Sequence, residues 1–310
     1  MEKIKKLRKI FTREKIDGYV IPKNDKFFDE YTSDYNDRLK FISGFSGSYG
    51  FALILKNRNY LFVDGRYTLQ ANSQSGKYFK IITIPNQMPG DILNGKKLSI
   101  GFDPSLFTKK TLSVLFEKGK CEFRPIVKNL IDEIWNRNIK KNKKNFFILP
   151  NSSVSEKWQS KITKISNYLK KNKSDFLFIT ASENNAWLLN IRGRDAAYAP
   201  LPYSYILINK NKDVIFFCDL KKISSSLKRS FKKIKFLSID NCVEIISKIE
   251  NRNFIIDKNS CSYFFESLIS KKNKILNLSD PIYLLKAIKG REEIENMKKA
   301  HIYDGVALTK

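Results

Sequence analysis

Two short motifs in this 310-residue chain set arginine and aspartate around a glycine. In Asp64-Gly65-Arg66-Tyr67, a charge-assisted contact could order a turn and hold a guanidinium toward an anionic ligand group. The same spacing also suits a plain ion pair at a strand end. In Arg192-Gly193-Arg194-Asp195, two guanidiniums flank a glycine shortly after Trp187. That arrangement suits a cleft wall, a subunit contact or a structural loop. The run Gly44-Phe45-Ser46-Gly47-Ser48-Tyr49-Gly50 reads G-x-x-G-x-x-G, which is neither the dinucleotide fingerprint nor a P-loop. It predicts a tight turn into a strand.

The remaining chemistry is mostly exclusion. His301 is the single histidine, so a Ser-His-Asp or Cys-His engine built on any other histidine is impossible. A His-rich zinc site and an HExxH helix are excluded too. The carboxylates show no metal-ligand spacing. Cys121, Cys218, Cys242 and Cys261 are too far apart for a CxxC pair, and Cys218 follows Phe217; buried free thiols in a reducing compartment are the expectation.

These motifs must be positioned by strands and helices. Ile4, Leu7, Ile10, Phe11 and Ile16 recur at helical spacing, and Tyr19-Val20-Ile21 follows as a strand. Residues 38–42 suggest a helical turn. Strands at 51–55 and 60–63 flank Lys56-Asn57-Arg58-Asn59 as a hairpin. A helix is predicted over 67–75, strands over 80–84, 98–102 and 122–125, and helices over 109–117 and 129–138. The second half repeats the plan, with helices over 156–169 and 185–190, a strand over 176–179 and a hairpin over 205–208 and 214–217. Leu53 falls on Leu207 or Ile208, and Asp64 falls near Asp219. This is a duplicated domain with mixed sheets, an α/β fold. Asp280-Pro281 reads as a chain break, and 291–308 as a helix with Ile294, Met297, His301, Val306 and Leu308 as its less polar positions.

The net charge is +27 and the sequence pI about 9.8. Of the basic residues, 46 are Lys and 12 are Arg. They are spread in linker-like runs such as Lys140-Lys141-Asn142-Lys143-Lys144. Base readout favours Arg, so specific nucleic-acid binding is not expected, only salt-sensitive adhesion to polyanions. No apolar run approaches the ~20 residues that span a bilayer, and no signal-peptide core follows the N-terminus. The expected setting is cytoplasmic, with no membrane partner.

Three stretches then resemble the long aminopeptidase P (Xaa-Pro aminopeptidase) family of the creatinase/prolidase metallopeptidases. They are Arg38-Leu39-Lys40-Phe41-Ile42-Ser43-Gly44-Phe45-Ser46-Gly47-Ser48 running on to Leu61-Phe62-Val63-Asp64-Gly65-Arg66-Tyr67, then Ala186-Trp187-Leu188-Leu189-Asn190-Ile191-Arg192-Gly193, then Lys286-Ala287-Ile288-Lys289 with Ala300-His301-Ile302-Tyr303-Asp304-Gly305. The resemblance implies two tandem creatinase-N-like domains, residues 1–140 and 145–282, and the start of a truncated pita-bread catalytic domain at 283–310. It implies two divalent metal ions, usually manganese, held by two Asp, one His and two Glu. A bridging hydroxide would attack the Xaa-Pro bond of proline-containing peptides, in a homodimer.

The resemblance places all five ligands in sequence beyond the last helix, and by it His301 matches a family position other than the metal ligand. No metal is expected on this chain, and no hydrolysis by it alone. By the resemblance, Asp64, Arg66 and Tyr67 are candidates near a substrate terminus, with Trp187 and Arg192 at a cleft or dimer wall. The alternative is a non-catalytic α/β dimerisation or partner-binding module.

Overall fold

A computed structural model describes residues 2–138 and 143–310. Lys140, Lys141 and Asn142 of the lysine-rich linker lie outside the described residues. The chain divides into two compact units. The first holds the residues up to 138 together with Lys258–Phe265, and the second holds the rest.

The first unit begins with α1 (Glu2–Glu14), whose Ile4, Leu7 and Phe11 are buried at helical spacing. β1 (Gly18–Pro22) is buried along its whole length. After residues 23–37 comes α2 (Arg38–Ser43), capped by the Asp37 carboxylate, which accepts from the Lys40 N–H, and ended by Gly44 at φ 84°. β2 (Phe51–Leu55) and β3 (Asn59–Asp64) form the hairpin. They are followed by α3 (Thr68–Ser75), β4 (Lys80–Ile84), α4 (Pro89–Ile92), β5 (Ser99–Phe102), α5 (Lys109–Leu115), β6 (Glu122–Pro125) and α6 (Leu130–Ile134).

The second unit runs β7 (Phe147–Ile148), α7 (Trp158–Lys171), β8 (Phe176–Ile179), α8 (Ser182–Leu189), β9 (Ile191–Arg192), β10 (Tyr205–Asn209), β11 (Val214–Cys218), α9 (Ser225–Ser230), β12 (Ile234–Ser238), α10 (Asn241–Ser247) and β13 (Asn253–Ile256). α11 (Tyr263–Ser270), β14 (Lys274–Asn277), α12 (Pro281–Ala287) and α13 (Arg291–Thr309) complete the chain.

The two sheets have one topology. The first is ordered β4-β3-β2-β1-β5-β6 and the second β12-β11-β10-β8-β13-β14. In each, the second hairpin partner is reached through a strand antiparallel to both neighbours, and the other strands are parallel. Val20 faces Leu53 in the first unit, and Phe178 faces Leu207 in the second. Leu53 and Ile208 are fully buried, Leu207 nearly so.

The amino ends of the central strands carry the same staple in both copies. The Asp17 carboxylate accepts from Lys56 Nζ at 2.5 Å and from the Ser99 N–H at 3.0 Å. The Asp175 carboxylate accepts from Lys210 Nζ at 2.8 Å and from the Asn253 N–H at 3.0 Å. Both carboxyls are held below the ordinary range. For Asp17 the Lys56 contact is the main cause, and for Asp175 the Asn253 N–H is.

Three expectations change. The helix predicted over 129–138 ends at Ile134, because Trp135 adopts extended backbone and stacks on Phe41 with ring centroids 4.7 Å apart. Asp280-Pro281 starts α12 instead of breaking the chain. The Asp280 carboxylate accepts from the Ile282 N–H, and proline occupies a first-turn position where its missing N–H costs nothing. Of the four thiols, Cys218, Cys242 and Cys261 are buried and Cys121 is half-buried, none of them in a disulfide among the described residues.

Candidate functional site

The parallel strands of the first sheet end around one cavity of about 320 Å³. Lys23 and Asn24 reach it from the end of β1, Arg66 from the end of β3, and Phe107 and Thr111 from beyond β5. Carboxyl ends of parallel strands are where open α/β sheets ordinarily bind ligands.

Asp64 ends β3 and caps a short 3₁₀ turn, its Oδ1 accepting from the Arg66 N–H at 3.0 Å. The Arg66 guanidinium returns to the same carboxylate, with Nη2 donating to Oδ2 at 2.7 Å, and lies 5.2 Å from the centre of the Tyr67 ring. The Arg66 contact holds the Asp64 carboxyl below its usual range. Arg66 keeps 70% of its side chain exposed. It is therefore positioned by Asp64 while its outer face remains open to an anion. The Tyr67 hydroxyl lies 2.7 Å from Ser48 Oγ, so the predicted turn and the Gly/Ser loop meet. A Cβ on Gly47 would come within 2.3 Å of the Phe45 ring and 2.9 Å of the Tyr67 ring, so only glycine fits there.

The other wall is the loop over residues 23–37. Lys23 Nζ and Asp37 Oδ2 form a buried ion pair at 2.5 Å. Asn24 Nδ2 donates to the Leu106 carbonyl at 2.8 Å, and Thr32 Oγ1 to the Lys23 carbonyl at 2.8 Å. Phe28, Asp29 and Glu30 are thereby held along the cavity. Sequence patterning reads Asp29 to Asp37 as a polar loop and singles out none of Lys23, Asn24 and Glu30. The one available signal is the Asp/Asn-rich spacing between Asn24 and Asp37.

Trp187 and Arg192 lie in the second unit, and the cavity includes neither of them. Arg192 Nη1 donates to the Ala186 carbonyl at 2.8 Å and the Ile191 carbonyl at 3.0 Å. Its guanidinium thus ties the end of α8 to β9. The Lys161 ammonium sits 3.8 Å from the centre of the Trp187 ring, donating to the Trp187 carbonyl at 2.8 Å and to Asn190 Oδ1 at 2.6 Å. Burial pushes this lysine down to about 8. Among the described residues the Trp187 indole N–H finds no acceptor.

Among the described residues no group of three or more His, Cys, Asp or Glu side chains could hold a metal ion. The described side chains therefore do not fit a di-nuclear centre. No helix among them is long and apolar enough to cross a membrane.

Two family models, each described as Creatinase/Prolidase N-terminal domain, match residues 3–134 and 137–293. The chain belongs to the creatinase/prolidase N-terminal domain family. It is 28% identical over 326 residues to the probable Xaa-Pro aminopeptidase P of Laccaria bicolor, covering 100% of this chain and 50% of that protein. It is 30% identical over 317 residues to the Xaa-Pro aminopeptidase ApepP of Drosophila melanogaster, covering 94% and 50%.

The X-prolyl aminopeptidase of Caenorhabditis elegans superposes with a TM-score of 0.91 at 27% identity, over 99% of this chain and 54% of that one. That protein is described as a cytosolic enzyme with a di-nuclear active site. The chain spans about half the length of the curated relatives it matches.

Proposed function

We propose that this chain forms the substrate-gating and dimerising portion of an Xaa-Pro aminopeptidase, which releases the residue before proline from peptides in the cytoplasm. The likeness runs along the whole chain and includes both copies of the N-terminal domain, and this is the observation that carries the reading. In this reading residues 1–140 and 145–282 are the two N-terminal domains and 283–310 opens the catalytic domain. Two divalent ions, with manganese the expected metal, would be held by side chains this chain does not supply. Arg66, set by Asp64 and backed by Tyr67, would face a substrate carboxylate, and Trp187 with Arg192 would stiffen a cleft or dimer wall.

A second reading, a non-catalytic α/β dimerisation or partner-binding module, is favoured by the lack of a metal-holding group among the described residues. The test is to mix the chain with manganese and the peptide Arg-Pro-Pro. The peptide is expected to remain uncleaved, while its resonances broaden with the native chain and sharpen again with Arg66→Ala. Release of the first residue would overturn the placement of the ions elsewhere. Equal broadening with Arg66→Ala would remove Arg66 from the site, and no broadening at all would favour the second reading.

A further inference from the structure

The second sheet ends in β12, which pairs in parallel with β11 on one side only. An edge strand presents a row of unpaired backbone donors and acceptors. The approach to this edge is basic. Lys221, Lys228, Arg229, Lys232, Lys233 and Lys235 are all exposed, and none of them forms an ion pair among the described residues. No carboxylate lies between Asp219 and Asp240. Asp219 is engaged in capping the Lys221 N–H, and Asp240 receives the Ser238 hydroxyl at 3.3 Å.

The cations stand on a fixed scaffold. Ile223, Leu227, Phe231 and Ile234 are buried, and Phe236 packs on the same core. Strand alternation then puts Lys235 on the face opposite Ile234 and Phe236. The matching edge of the first sheet, β4, differs. Between Asp64 and Ile84 its cations are Arg66, Lys77 and Lys80. Arg66 is paired with Asp64, and Lys77 lies over the Tyr78 ring.

Charge on an edge normally repels other strands, and here it selects by sign. A basic or uncharged strand would leave these cations uncompensated, and the same lysine-lined edge of a second copy would be repelled from this one. A strand carrying carboxylates would neutralise them while completing the backbone ladder. We infer that the open edge of β12 binds an extended acidic peptide by strand addition. Backbone pairing supplies the register, and Lys228, Arg229, Lys232, Lys233 and Lys235 supply the preference for negative charge. This edge shares no residue with the cavity at Arg66, so it stands independently of the function proposed above.

The probe is a labelled peptide alternating Glu and Val, titrated against the full chain by fluorescence anisotropy. The matching Lys–Val peptide and a short DNA duplex serve as comparisons. The Glu–Val peptide is expected to bind and the Lys–Val peptide to fail. The double variant Lys233→Glu/Lys235→Glu should weaken binding at least ~10-fold, as should Lys228→Glu/Arg229→Glu, with thermal melts checking that each variant folds. Hydrogen exchange should slow at the amides of residues 234–238. Undiminished binding by both variants, or binding without that protection, would overturn the inference. Duplex binding with the same charge dependence and no protection would do so as well, assigning the edge to a phosphate backbone.

Discussion

The two copies agree at one end of their sheets and part company at the other. At the amino ends, Asp17 and Asp175 join the same three elements through the same kinds of donor. At the carboxyl ends, Asp64 and Asp219 both cap a 3₁₀ turn, and the third residue after each reaches toward the loop before the hairpin. In the first copy that residue is Tyr67, touching Ser48. In the second it is Lys222, in an ion pair with Asp195 whose side chains are only 9% and 5% exposed.

The strand-to-helix connection differs in the same sense. Residues 23–37 separate β1 from α2 and wall the cavity, whereas only Thr180 and Ala181 separate β8 from α8. One copy keeps its carboxyl end open around an exposed arginine, and the other closes the equivalent end with a buried charge pair. The stapled amino ends of the two copies thus match, while their carboxyl ends differ in loop length and in what occupies the joint.

The largest test of this contrast is at the closed joint. Asp195→Ala leaves the Lys222 ammonium buried without its carboxylate and should cost about 3–5 kcal/mol. Tyr67→Phe removes a neutral contact at the open joint and should cost only about 0.5–1.5 kcal/mol. Urea unfolding curves measure both, and equal costs would erase the distinction between open and closed ends. At the amino ends the copies should instead behave alike. Asp17→Ala and Asp175→Ala each remove an acceptor from a strand N–H and an exposed lysine, for about 1–2 kcal/mol apiece. Because both carboxyls are depressed, this contribution is present above pH ~4 and is lost as the pH falls through their lowered values. A twofold inequality between the two variants would argue that the staples are not equivalent.

The subtlest test reads Lys161. Its titration beneath the Trp187 ring should change the tryptophan emission with a midpoint of about 8, and Lys161→Met should abolish the change. The folded chain gives up this proton more readily than the unfolded chain does. Stability should therefore rise as the pH increases from about 8 toward the ordinary lysine value. A flat emission profile would show that the ammonium does not titrate against the ring.

The hairpins and the match between Asp64 and Asp219 were legible in sequence because apolar runs of strand length are bracketed by polar turn residues. β12 and β14 were not, since Lys235 interrupts the first and the second holds only Ile275 and Leu276 between Lys274 and Asn277. Asp280-Pro281 misled because proline stops a helix from within but fits its first turn. Arg66 could be picked out because its partner lies two residues away, so the contact is local. Lys23 and Asn24 could not, because Asp37 and Leu106 define their positions through the tertiary fold. A sequence cannot say which way an arginine faces, and Arg192 faces back to the carbonyls of Ala186 in α8 and Ile191 in β9.

Residues 258–265 leave the second body of the chain and join the first, where the Tyr263 N–H donates to the Phe107 carbonyl and its ring lies 5.1 Å from that of Phe102. A fragment ending at residue 138 would expose the Phe102 face that Tyr263 covers. Severing the polypeptide once, between the copies, cannot yield two self-sufficient pieces, and a gene encoding only the leading copy would specify an incomplete core.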